Sequence, residues 1–332
     1  MVGNWNIRKR LFVALIGIVI TTSIGWNGFI PKAQAFDIVI GANQLTSIEF
    51  HAGRLVCRLI NSNSDNMHCQ PRVTSGFSYN MDNVRLGALD LGIVRSDVHF
   101  RAIRKQGIYK FKNVTYENIR SLFSLHSAPF TLIASQKSKI RALDDLLKKR
   151  INIGPRGTVQ HSVFNQIFLQ KGWSKGDFIM LEELPGSQSQ DTIAFCHGRI
   201  QAIVYAMVHP NPTAKKLIQR CNGTLIPIDQ PTIKQLVSTH PYFSSTRIPQ
   251  GLYKTNKHPT TTFGLKSTIV ASEDLDHETV YHIVKTVFTN IRYFKKAHPV
   301  FGDLNPKIMV REGLTAPLHS GAIQFYKENG LL

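Results

Sequence analysis

From Phe36 onward, short runs rich in β-branched and apolar residues alternate with amphipathic stretches of helical period. The pattern predicts strands over residues 37–41, 70–74, 89–94, 150–154, 202–206 and 224–228. It predicts helices over 48–61, 78–86, 159–171, 187–197 and 278–296. Such alternation defines an α/β protein with a mainly parallel sheet. Two longer segments of β propensity, 119–135 and 261–272, flank a central block that is itself complete α/β. Two passes between blocks predict two lobes joined by a double hinge, one lobe from 36–126 plus 262–332 and the other from 127–261. No fixed-period repeat or low-complexity tract interrupts this order. Pro241, Pro249 and Pro259 mark a loop region before the return crossing, read as a connection and not as a site.

The first 35 residues follow a different rule. Arg8, Lys9 and Arg10 precede the apolar run 11–20, and Ala33-Gln34-Ala35 offers small residues at a cleavage spacing. Residues 1–35 are therefore expected to be a cleaved signal peptide and the chain a periplasmic one. Gly25, Asn27 and Gly28 interrupt the longer stretch that a membrane anchor would need. No cysteine lies in 1–35 for lipidation. The four cysteines, Cys57, Cys69, Cys196 and Cys221, all follow it, and an even number in an exported chain points to disulfides. Each of the pairs Cys57 with Cys69 and Cys196 with Cys221 joins the end of a predicted helix to a nearby strand. Structural zinc is the poorer reading, because no pair has Cys-x-x-Cys spacing.

Composition adds a bound and one question. With 332 residues, 42% hydrophobic and 18% charged, the chain can fill two cores. The formal charge is +19, falling to +15 without Arg8, Lys9, Arg10 and Lys32, a field that attracts anions, anionic lipid or nucleic acid. The one dense cluster, Lys137, Lys139, Arg141, Lys148, Lys149 and Arg150, brackets a short helix without interleaved aromatics, so it reads as a solvated face and no nucleic-acid partner is expected.

Anion chemistry is instead expected where strands end. Loops leaving the carboxyl ends of strands and entering helix N-termini present backbone N–H groups and a favourable dipole. Three such junctions are predicted, at 41–47, 74–78 and 154–160. Catalytic constellations are not evident. His51, His126, His161, His209 and His319 sit near loops or strand ends, yet none belongs to a His-x-x-x-His pair, and no Gly-x-Ser-x-Gly elbow occurs.

A series of short motifs carries a resemblance: Cys57-Arg58-Leu59, Thr74 with Gly76 and Tyr79-Asn80, Leu89-Asp90-Leu91-Gly92 followed by Ser96-Asp97, and the 150–154 strand with Gly157. Lys171-Gly172-Trp173, His209-Pro210-Asn211, Thr261-Thr262-Phe263-Gly264 and Ala316-Pro317-Leu318-His319 continue it. In order and spacing the chain resembles the TAXI-type solute receptors of tripartite ATP-independent periplasmic (TRAP) transporters, over nearly everything after residue 35. The resemblance implies a two-lobed periplasmic-binding-protein fold, type II-like. It also implies a protein that closes on a small carboxylate such as glutamate or a related acid and docks on TRAP membrane subunits; with no catalytic or metal-binding pattern in the sequence, a monomer without cofactor, metal or enzymatic activity is expected.

The implied ligand set is Gln44, Thr46, Ser47 and Glu49 in the first loop, Ser75 and Gly76 in the second, and Arg95, Ser96 and Asp97 after the third strand. Arg156, Gly157, Thr158 and His209 belong to the other lobe. The chain departs from the pattern at Glu49, which replaces an aromatic, at Arg95, which replaces a glutamine, and at Arg156 and Val159. Either arginine could pair with an anionic ligand, or point to solvent or to a neighbouring acid. Glu49 could meet a ligand ammonium or serve as an ordinary carboxylate of the first helical turn. Two other functions remain open. An enzyme built on the same fold would show turnover, and a basic adhesive protein would show acidic-polymer binding that vanishes in moderate salt.

Overall fold

The computed structural model describes residues 36–185 and 190–332. The expected signal peptide and the first residues of the helix predicted over 187–197 lie outside them.

Among the described residues, ten strands and eleven α-helices follow in chain order. β1 (Phe36–Gly41), α1 (Ile48–Asn63), β2 (Met67–Arg72), α2 (Phe77–Arg85), β3 (Leu91–Arg95) and α3 (Ser96–Ile103) lead to the long β4 (Ile119–Ser135). Next come β5 (Arg150–Asn152), α4 (Val159–Gln170), β6 (Met180–Glu182), α5 (Gln190–Cys196), β7 (Ala202–Ala206), α6 (Pro212–Arg220), β8 (Gly223–Ile226), α7 (Gln230–Thr239) and β9 (Phe243–Ile248). β10 (Thr260–Ser272) returns, followed by α8 (His277–Thr289), α9 (Ile291–Ala297), α10 (Pro306–Met309) and α11 (Ser320–Glu328).

The strands run in the order β2-β1-β3-β10-β4-β7-β5-β6, with β8 on β4 and β9 on β10. β1 is parallel to β2 and β3, and β5 is parallel to β6 and β7, as βαβ crossovers require. β10 runs antiparallel to β3 and β4, which makes β4 and β10 the two elements shared by both halves of the sheet. Gly264 sits where they cross: a Cβ there would lie 2.7 Å from the Ala128 carbonyl oxygen, so only glycine lets the strands approach so closely.

Alternation along the strands distributes the core to both faces. On β10, Ile269 packs with Ile38, Val56, Phe123, Val284 and Phe325, while its neighbour Val270 packs with Met81, Val84 and Tyr116. On β4, Leu132 joins Phe164, Val204 and Phe263, whereas Ile133 joins Phe195, Ile203 and Leu217. Helices therefore cover both faces of the sheet in each half, as a doubly wound α/β fold demands. Cys57 is bonded to Cys69, tying α1 to β2, and Cys196 to Cys221, tying the end of α5 to the end of α6.

Two local expectations change, and one strand was not foreseen. The helix predicted over 278–296 breaks at Asn290, whose side chain donates to the Thr286 carbonyl at 2.8 Å and so terminates α8. The proline-marked region before the return crossing holds a strand, β9, because Phe243 and Ile248 face the core between the prolines while the strand pairs with β10. β6, only three residues long, carries too short a pattern to be read from sequence.

Candidate functional site

The parallel direction of β1, β2 and β3 brings their carboxyl ends together, and the loops that follow are stitched to one another. Asn43 N donates to Thr74 Oγ1 at 3.0 Å, and Thr74 N donates back to the Asn43 carbonyl at 3.0 Å. The buried Asn80 amide donates to Gly41 O, Asn43 Oδ1 and Ile93 O, spanning the ends of β1 and β3. On this platform Gln44, Thr46 and Ser75 are exposed. Ser47 caps α1 by accepting from Phe50 N at 3.1 Å.

The start of α2 is different. Its N-cap, Gly76, has φ 131°, a conformation suited to glycine, and no side chain caps the helix. The first intrahelical bond is from Asn80 N to Gly76 O, so the amides of Phe77, Ser78 and Tyr79 precede the hydrogen-bonded ladder. The Arg95 guanidinium stands over the Phe77 ring, 5.1 Å from its centroid. Its Nε and one terminal nitrogen donate to Asp97 at 2.5 and 3.1 Å. Asp97 is buried, and Arg101 lies 4.0 Å from it while donating to Ser162 of α4 at 2.7 Å.

The other residues of the sequence-based set occupy varied environments. Ser96 is buried; its hydroxyl donates to Tyr242 O at 2.7 Å and accepts from Lys266 N at 3.1 Å. Glu49 is also buried, 3.2 Å from His126 Nε2 and accepting from Ser267 at 3.3 Å. Burial pushes its carboxyl up, but the hydrogen bond and charge of His126 outweigh this and hold it below the usual glutamate value. Arg156, 71% exposed, pairs with Glu183 at 3.0 Å. Gly157 adopts φ 83°, and Thr158 caps α4. His209 is buried between Thr131 Oγ1, 2.8 Å from Nε2, and the Tyr253 hydroxyl, 2.5 Å from Nδ1.

A cavity of about 460 Å³ lies along the crossing strands, lined by His126 and Ser127 of β4, Lys266 of β10, His209, and Glu312 after α10. Sequence reasoning passed over Lys266 and Glu312. The signal for the first was visible, a lone lysine inside the apolar run of the return crossing. Among the described residues no group of three or more His, Cys, Asp or Glu side chains is placed to hold a metal ion, and no helix is long and apolar enough to cross a membrane.

Two α/β halves of one sheet, linked by a pair of shared strands, with loops converging from strand ends, define a two-lobed solute-binding-protein fold. The chain belongs to the NMT1-like family, which it matches over residues 40–330. Solved structures share the fold at low identity. A TctC solute binding protein from Polaromonas is 12% identical over 82% of this chain and 88% of its own, with a TM-score of 0.54. The periplasmic sulfonate-binding protein SsuA from Methylobacillus flagellatus KT is 11% identical over 90% and 88%, with a TM-score of 0.51.

Proposed function

We propose that this chain is a periplasmic solute-binding protein that captures a small anion, a carboxylate such as glutamate, between lobes formed by 36–126 plus 262–332 and by 127–261. In this reading it is a TAXI-type receptor delivering its ligand to the membrane subunits of a TRAP transporter, by capture without turnover. Membership of the NMT1-like family and the two-lobed fold support the receptor role. The observation that carries the anion is the uncapped start of α2 with Arg95 beside it. Three amides ahead of the helical ladder attract negative charge, and the helix dipole adds to them. Asp97 engages two of the Arg95 nitrogens and fixes the plane of the guanidinium, leaving a third for a ligand. Arg156 is the weaker candidate, being exposed and already paired with Glu183.

Titration calorimetry of the protein with a panel of acidic metabolites, guided by thermal shift, tests the reading. Arg95→Ala should weaken the best anionic ligand by about 1.5–3 kcal/mol, the range for hydrogen bonds to charged groups. Arg156→Ala should leave the affinity within a factor of about two, since exposed ion pairs contribute little. A best ligand that is neutral or cationic, or steady chemical conversion of the bound molecule seen by mass spectrometry, would refute it.

A further inference from the structure

The cavity along the crossing strands holds charges that the strand-end loops do not use. Lys266 occupies the middle of β10 and is only 9% exposed. Among the described residues its ammonium makes no hydrogen bond, and no acid lies within 4.0 Å of it. Desolvation draws its pKa below the ordinary lysine value, and the charge of Glu312 draws it partly back. Glu312 lines the same cavity, and its Oε2 is buried and has no hydrogen-bond partner among the described residues. The Nδ1 of His126 is in the same position. The largely buried Lys266 side chain and the Glu312 side chain line one space without forming an ion pair, and the buried Glu312 Oε2 carries an uncompensated desolvation cost. Leu125, Pro129, Val300 and Ile308 supply apolar walls. At the margin, Arg247 of β9 lies 3.3 Å from Asp303, so the cavity's lysines, arginines and acids sum to no net charge.

We propose that this cavity is a binding site for a small zwitterion with an apolar body, its carboxylate on Lys266 and its ammonium on Glu312. The volume, about 460 Å³, lies in the range of small-molecule pockets. The site shares only His209 with the ligand set expected from sequence, and it stands whether or not an anion binds at α2. Its walls come from both sides of the strand crossing, Arg247 and His209 on one and Asp303 and Glu312 on the other, while both anchoring charges belong to the segment after the return crossing begins.

Calorimetry of the full chain with L-leucine as the probe tests the assignment, with 4-methylpentanoate as a probe lacking the ammonium. L-leucine should saturate one site, and Lys266→Met and Glu312→Gln should each weaken it at least tenfold. 4-Methylpentanoate should bind more weakly than L-leucine and be insensitive to Glu312→Gln. Val300→Trp fills the cavity from a half-buried wall and should abolish binding while circular dichroism shows the fold retained; it decides the matter if a charge variant fails to fold. Absence of saturable L-leucine binding overturns the assignment. So does binding equal to wild type in any folded variant of the three, or equal affinity for the two probes.

Discussion

His99 and His209 are held neutral by their surroundings. Burial lowers the first to about 3 and the second to about 4. The unfolded chain takes up a proton at each near the ordinary value of 6.5, while the folded chain resists it. Their contribution to stability is thus complete above about pH 6.5 and declines as pH falls toward the folded values. For His209 the loss by pH 4.5 is about 2–3 kcal/mol. Denaturant midpoints measured from pH 7 to 4.5 should fall less steeply for His209→Gln than for wild type; parallel curves would exclude the effect. At this scale the sequence disclosed residue type but not environment. Arg95 and Arg156 looked equivalent as cations in loops, and only the fold sets one on Phe77 beside an open helix start and the other against Glu183. The Lys266 and Glu312 juxtaposition was invisible, because the two residues come from segments whose proximity depends on the return of the chain past the crossing strands.

Elements were more legible than environments. The two long strands stood out as uninterrupted β-forming runs, and β4 spans the predicted residues 119–135. α1 was marked by apolar residues at helical spacing over 48–61, and the helix runs from Ile48 to Asn63. The break between α8 and α9 was hidden, since apolar periodicity continues through Asn290 and only the side-chain bond to Thr286 O ends the helix. The two disulfides bind neighbouring elements over separations of 12 and 25 residues. In the chain-entropy account each contributes about 3 kcal/mol, somewhat more for the longer loop. Replacing Cys196 and Cys221 together by alanine should therefore cost at least as much in a denaturant titration as replacing Cys57 and Cys69. The reverse order would mean that strain or residual unfolded structure dominates.

On the scale of the molecule, the halves are joined by more than the two long strands. The Ser96 hydroxyl bonds both the Lys266 amide of the return crossing and the Tyr242 carbonyl ahead of β9, and Phe100 packs on the Tyr242 ring at 5.1 Å. Ser96→Ala strands a buried donor and a buried acceptor, with an expected loss of about 1–3 kcal/mol in unfolding free energy. An unchanged midpoint would mean that water replaces the hydroxyl. The strand order has a consequence for how the chain is made. β10 lies between β3 and β4, yet it is the last of the described strands to be synthesised, after every residue up to 259 has been added. Until then the edges of β3 and β4 that β10 covers are open to wrong partners. A nascent chain halted before Thr260 should stay protease-sensitive throughout residues 36–135, whatever the middle segment has achieved, and release of the complete chain should protect both together. Such late closure of distant pairings makes folding slow, and a chain that is slow to close remains threadable, which export across a membrane in the proposed role would require.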